Sequence, residues 1–275
     1  MLQQIDRLFE EQLTSWPLLA RGTAGLKEAQ TRTLNLNGYS IQLRHLPHRI
    51  GSTTAAVDQA SIAKRPCFLC ASNLPAEEKG LSFNSELTIY CNPFPILDRH
   101  MTIVHRDHRP QRIAGQIANI VAVADALPGY FVIYNGPECG ASAPDHLHFQ
   151  ACSAEGVPII SDVDRTVGQA IPNYGRRVVV LRETDRERLI AALSELIPVR
   201  EPEPLLNLAI FRKGNAVIAA FFPRRKHRPD VFYSGELTVS PATIDLCGVF
   251  VTPVQKDFER ISPEDIRRIY DEVAG

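Results

Sequence analysis

The spacing of apolar residues changes along the chain, and each change predicts an element. Residues 1 to about 20 read as an amphipathic helix. Thr31–Arg44 then alternates, with Leu34, Leu36, Tyr39, Ile41 and Leu43 apolar, and predicts a strand. Short strands follow at Leu87–Asn92 and Met101–His105, a helix at about Gln111–Leu127, and strands at Tyr130–Tyr134 and Leu147–Ser153. Further on, a polar helix falls at Asp185–Ile197. Leu206–Phe211 and Ala216–Phe222 flank Lys213-Gly214-Asn215 as a hairpin, and a strand is expected at Cys247–Thr252. Ser262 as N-cap, Pro263 at the first helical position and Glu264 and Asp265 in the first turn announce a terminal helix. The order predicts an α+β fold with a largely antiparallel sheet flanked by helices.

Pro198, Pro202 and Pro204 suggest a break. We divide the chain into residues 1–64 (a framing helix and strand), 65–160 (a catalytic core), 161–204 (linker and helix) and 205–275 (a smaller C-terminal α+β half). There is no tandem repeat or low-complexity stretch.

Composition narrows the function. At 44% hydrophobic and 22% charged, the 275-residue chain has the balance of an ordinary globular protein. A net charge of −1 argues against a long nucleic acid as partner, while leaving room for a local cluster that grips a phosphorylated ligand. No apolar run approaches the roughly 18 to 20 residues of a membrane span. The N-terminus, MLQQIDRLFEEQLTSW, carries acidic residues where a signal peptide would be basic and then apolar. The expectation is a cytoplasmic protein without a membrane. Six cysteines are too few for a disulfide scaffold at this length, which leaves thiols or metal ligands.

Asn135 to Gln150 reads NGPECGASAPDHLHFQ, a glycine-containing run ending in polar residues at alternate positions. On a strand, period two places His146, His148 and Gln150 on one face. Buried polar groups need partners, which a phosphate, a metal or neighbouring side chains supply. A histidine can itself attack phosphorus, provided that its second ring nitrogen is held as a donor, usually by a backbone carbonyl. That assigns His148 as nucleophile. The Gln150 amide, with Ser142 and the amides around Gly140, would meet the non-bridging oxygens. An isolated H-x-H is more often a pair of satisfied core histidines; the glycine-containing lead-in and the glutamine favour the site.

GASAPDHLHFQ resembles the active-site motif of the HxHxQ branch of the histidine-triad superfamily. That branch includes galactose-1-phosphate uridylyltransferases, diadenosine tetraphosphate phosphorylases and GDP-hexose phosphorylases. Cys67-Phe68-Leu69-Cys70 is similar to the zinc-binding CFLC segment of the uridylyltransferases, and Asn92-Pro93-Phe94-Pro95 to their Asn-x-Phe segment. The run from Val239, VSPATIDLCGVFVTPVQKDFERISPEDIRRIYDEV, is similar to the end of the GDP-hexose phosphorylases. The likeness runs from about Arg65 to the C-terminus, and motif order carries it.

The resemblance implies a HIT-like sheet and a degenerate second HIT-like half. It also implies ping-pong chemistry in which His148 takes up a nucleotidyl group, with Gln150 on the phosphoryl oxygens. Asn92 would sit against the nucleoside, and Asn135, Gly140 and Ser142 along the phosphates. A C-x-x-C pair alone is ambiguous between a metal half-site, a redox pair and two core thiols. The resemblance resolves it as structural zinc on Cys67, Cys70, His108 and His146, with His100 or His105 as alternatives to His108. No organic cofactor is expected.

Arg224-Arg225-Lys226-His227-Arg228 is either a solvated face or a phosphate grip, for which Arg224 and Lys226 are the candidates. Asp145 and Glu138 flank the motif; Cys139, Cys152 and Cys247 are read as packing residues. The expected partners are a nucleotide or nucleotide sugar with inorganic phosphate or a sugar phosphate, and the superfamily's habit suggests a homodimer or an internal pseudo-dimer. GDP-hexose-type phosphorolysis leads. Hexose-1-phosphate uridylyl transfer is the first alternative, with hydrolysis as a variant; a non-catalytic nucleotide-binding module is the alternative of another class.

Overall fold

Antiparallel neighbours generate the main sheet. In the computed structural model, which describes residues 1–274, eight strands lie in the order β3 (Gly80–Ser82), β4 (Leu87–Cys91), β5 (Met101–His105), β7 (His148–Ser153), β6 (Tyr130–Asn135), β9 (Leu206–Lys213), β10 (Ala216–Pro223) and β8 (Val179–Glu183). All their pairings are antiparallel. Because β9 pairs with β6, residues from the expected core and from the expected C-terminal half share one sheet.

Both faces of this sheet are covered, so its central strands are apolar on both sides. On one face Val132, Tyr134, Leu208, Ile210 and Val217 pack with Ile5, Leu19, Ile120, Val121, Leu189 and Leu193 from the helices Leu2–Ser15, Pro17–Lys27, Ile117–Ala126 and Arg186–Leu196. On the other, Phe131, Ile133, Ala209, Phe211 and Phe222 meet a three-stranded sheet and the helix Pro263–Ala274, through Ile41, Phe250, Ile266 and Tyr270. The small sheet has the order β1 (Gln30–Leu36), β2 (Tyr39–His45) and β11 (Val249–Thr252), with β11 parallel to β2. On this second face the apolar cover stops at β7. Beyond it the exposed positions of β4, β5 and β7 are polar, and a cavity begins there.

Several boundaries differ from expectation for local reasons. Thr31–Arg44 is a hairpin, not one strand. Asn37 and Gly38 have φ of 55° and 85°, the geometry of a two-residue turn that suits Asn-Gly. The single N-terminal helix is two, divided at Trp16-Pro17. The helix expected from Gln111 starts at Ile117, after Gly115 at φ 75°. The last strand starts at Val249 because Cys247 ends a short helix and Gly248 turns at φ 94°. Strands β3 and β8 were not expected. Among the described residues, no helix is long and apolar enough to cross a membrane.

Candidate active site

The cavity holds about 570 Å³ and has one face of three strands as its floor. Tyr90 and Asn92 come from the β4 side, Thr102 and Val104 from β5, and His148 and Gln150 from β7. Tyr90 lies opposite Thr102, which lies opposite Gln150, so these residues form a row across the strands. Trp16, Phe68 and the segment carrying His48, Arg49 and Ser52 supply walls.

His148 opens β7 and is 3% exposed. Its Nδ1 lies 2.8 Å from the carbonyl oxygen of His146, which can only accept; Nδ1 therefore carries the proton and Nε2 a lone pair. Burial lowers the imidazole pKa to about 4, so the ring is neutral at physiological pH. Its backbone is equally fixed. The buried Gln111 side chain accepts from His148 N–H at 2.8 Å and donates to the carbonyls of His148 at 3.0 Å and Asn135 at 2.9 Å.

Gln150 is oriented by His100. The Ile96 N–H donates to His100 Nδ1 at 3.2 Å, which places the His100 proton on Nε2, 2.8 Å from Gln150 Oε1. The Gln150 oxygen is thereby occupied and its NH₂ is left to the cavity. Arg49 also lines the cavity and donates to the Phe94 carbonyl at 2.7 Å; burial lowers its pKa to about 10, and it stays cationic.

Asn92 donates to Thr102 Oγ1 at 3.0 Å and accepts from Phe94 N–H at 2.9 Å, and half-buried Ser142 lines the cavity. Asn135 and Gly140 sit elsewhere. Asn135 Oδ1 accepts from Asn207 and Thr243, and a Cβ on Gly140 would meet that of Ala242 at 2.6 Å. Both therefore join the motif to the C-terminal segment. Arg224 is 6% exposed and donates to the carbonyls of Val273, Pro241, Lys226 and His227 and to Asn207. Lys226 pairs with Asp230 and Glu272. Neither lines the cavity. From the same basic run it is Arg228 that bears on the cavity wall, donating to the carbonyls of Thr53 at 3.0 Å and Ala55 at 2.9 Å.

Close to His148 in space, ligand atoms of Cys67, Cys70, His108 and His146 lie within 4.8 Å of one another. His146 Nδ1 is 3.3 Å from Cys67 Sγ and 3.6 Å from Cys70 Sγ, and His108 Nδ1 is 3.2 Å from Cys70 Sγ. Zinc bonds of about 2.3 Å to sulfur and 2.0 Å to nitrogen give tetrahedral S–N edges of about 3.5 Å, so the donor set fits zinc. His146 Nε2 lies 2.7 Å from the His105 carbonyl, which keeps that nitrogen protonated and turns Nδ1 to the thiols. The alternatives to His108 are engaged elsewhere: His100 with Gln150, and His105 with the Asp107 backbone and Arg109. Asp145, next in sequence, is paired with Arg65 at 2.9 Å.

Sequence reading missed the roles of Gln111, His100, Arg49 and Arg228. Each depends on a partner remote in sequence, and no local spacing announces it.

The family model described as "Domain of unknown function (DUF4922)" matches residues 8–153. No curated protein matches the chain. Among solved structures, yeast Ap4A phosphorylase Apa2 in complex with Ap4A matches with a TM-score of 0.70 at 16% identity, over 98% of this chain and 97% of that one. Its complex with AMP gives 0.64 at 14% identity, over 98% and 96%. A further structure of the same yeast protein gives 0.64 at 15%, over 94% and 97%. The likeness extends over nearly the whole of both chains, and it is a likeness of fold: a large antiparallel sheet flanked by helices.

Proposed function

The chain belongs to the family described as a domain of unknown function (DUF4922), and we propose that it is a nucleotidyltransferase of the phosphorylase type, acting through a nucleotidyl-His148 intermediate. One observation carries this reading. A neutral histidine, proton fixed on Nδ1 by a carbonyl, stands in a cavity beside a glutamine whose NH₂ group is directed there by a second histidine. The fold it shares with a protein solved with Ap4A and with AMP supports a nucleotide as substrate.

The substrate is a nucleotide anhydride: a dinucleoside polyphosphate or a nucleoside diphosphate sugar, with a GDP-hexose as the favoured finer reading. The Nε2 lone pair attacks the α-phosphorus, and the bond from that phosphorus to the bridging oxygen breaks. The leaving phosphate departs with the bonding electrons. The Nδ1 proton stays in place, and the His146 carbonyl stabilises the positive charge that the ring acquires. Gln150 and Ser142 donate to the non-bridging oxygens, Arg49 adds a cation, and Asn92 lies along the nucleoside. An oxygen of inorganic phosphate then attacks the same phosphorus, the P–N bond breaks, and His148 recovers its lone pair.

Zinc on Cys67, Cys70, His108 and His146 would be structural, since four protein ligands leave no position for substrate. The cluster also favours a second reading, hexose-1-phosphate uridylyl transfer, in which a sugar phosphate is the acceptor. Acceptor dependence tests the choice. With Ap4A or a GDP-hexose, nucleoside diphosphate should form only when inorganic phosphate is added. Release of nucleoside monophosphate without acceptor would show hydrolysis, and turnover only with a hexose phosphate would establish the second reading.

A further inference from the structure

Among the residues that line the cavity one is acidic, Glu78, on the segment that leads into β3. Gly80 lies opposite Tyr90, Tyr90 opposite Thr102, and Thr102 opposite Gln150. At about 4.8 Å per strand, this row sets the β3 edge about 14 Å from Gln150. A nucleoside whose α-phosphorus sits at His148 extends along such a row.

The Glu78 end is built for a ligand. Gln12 is 1% exposed, and its amide grips the backbone on both sides of Glu78: Nε2 donates to the Glu77 carbonyl at 2.7 Å and Oε1 accepts from Lys79 N–H at 2.9 Å. A third bond, from Glu78 N–H to the Pro75 carbonyl at 3.0 Å, completes the mount. Trp16, whose N–H bonds the Gln12 carbonyl, joins Leu18, Leu74 and Tyr90 in lining this part of the cavity. The Tyr90 ring lies so close over Gly80 that a Cβ there would come within 2.7 Å of it.

Among the described residues, no side chain bonds or pairs with the Glu78 carboxyl. Burial alone pushes its pKa up to about 7. A half-buried acid without a protein partner, on a fixed backbone among aromatic rings, wants donors from a ligand.

We infer that Glu78 reads the base of the transferred nucleotide and selects guanine. This deepens the proposed function and rests on it. Guanine presents two N–H donors side by side, on N1 and the exocyclic N2, and a carboxylate accepts both in one charge-assisted pair. Adenine and cytosine offer a donor beside an acceptor, and uracil one N–H between two carbonyls. An ionised carboxylate forms the double contact with guanine alone.

The test compares Gp4G with Ap4A, which differ only in base, by the rate at which each labels the full-length protein at subsaturating concentration. Wild type should be labelled about 10- to 100-fold faster by Gp4G, the discrimination of a bidentate base contact. Glu78→Gln keeps the side chain's shape but turns it into a donor–acceptor pair that suits adenine. The ratio should fall to near one or invert, with the Ap4A rate maintained or raised. A wild type that prefers Ap4A, or a ratio unchanged by Glu78→Gln, overturns the inference. So does an equal loss for both nucleotides, accompanied by indifference to the 2′-hydroxyl, which would make Glu78 a ribose contact. Label that fails to discriminate bases defeats this inference alone; absence of label from either nucleotide defeats the nucleotidyl-histidine reading itself.

Discussion

His100 Nε2 lies 2.8 Å from Gln150 Oε1, and the pair fixes which end of the glutamine amide faces the cavity. Because the Ile96 N–H occupies His100 Nδ1, the donor in this bond is the imidazole and the acceptor the amide oxygen. Gln150→Ala should slow nucleotidyl transfer by about 10²- to 10³-fold, the usual effect of removing one oxyanion donor. His100→Leu should act less, by roughly tenfold, because Gln150 keeps its amide and loses only its orientation. Single-turnover rates at saturating substrate check both, and equal rates in Gln150→Ala and wild type would remove Gln150 from the chemistry.

The Cys67, Cys70, His108 and His146 cluster should hold stoichiometric zinc. Metal analysis should find it in wild type and in His148→Ala, and find it lost in Cys67→Ser. Chelation should lower the unfolding temperature by roughly 5 °C or more, since the metal fastens three remote segments. A metal-free wild type of undiminished stability would refute the site.

Arg224, Lys226 and Arg228 share one basic run but should respond differently to substitution. Arg224→Ala leaves Asn207 and several buried carbonyls without their donor and should cost about 3 kcal/mol of stability or more, seen in urea unfolding. Lys226→Ala breaks only surface ion pairs and should cost less than about 1 kcal/mol, with the phosphate dependence of turnover unchanged. Arg228→Ala frees the Thr53–Ala55 wall and should raise KM more than it lowers kcat. A Lys226 variant with a raised KM for phosphate would return that residue to the substrate.

The sequence made the site's local patterns readable and hid its long-range ones. His146, His148 and Gln150 stand at period two, and Cys67 and Cys70 at C-x-x-C, so spacing alone raised them. Gln111 reads as the start of a helix, yet its amide clamps His148 across 37 positions; nothing in its neighbourhood announces that. Arg224 read, with Lys226, as a candidate phosphate contact in a run of charges, whereas the residues that bury it come from the end of the chain and from β9. Most strands were legible from alternation. The parity change between Leu36 and Tyr39 at Asn37-Gly38 also marks a hairpin, and the uniform apolar density across it concealed the turn.

Acid should destabilise the fold through His100. Burial first, then the charge of Arg49, lowers its pKa from 6.5 to about 3. The unfolded chain therefore binds the proton first, and stability that is full above about pH 6.5 is lost as pH falls toward 3, by up to roughly 1.4 kcal/mol per pH unit. Urea unfolding of wild type and His100→Gln between pH 7 and 5 checks this. The variant should show the shallower loss, and identical slopes would contradict it.

The central claim is the bond between His148 and phosphorus. The direct measurement is the mass of the intact protein after mixing with Ap4A or a GDP-hexose in the absence of phosphate, followed by peptide mapping. Wild type should gain one nucleoside monophosphate unit, acid-labile and base-stable, on the peptide containing His148; inorganic phosphate should remove it as nucleoside diphosphate, and His148→Ala should gain nothing. Turnover without any such adduct, or the same adduct in His148→Ala, would contradict it.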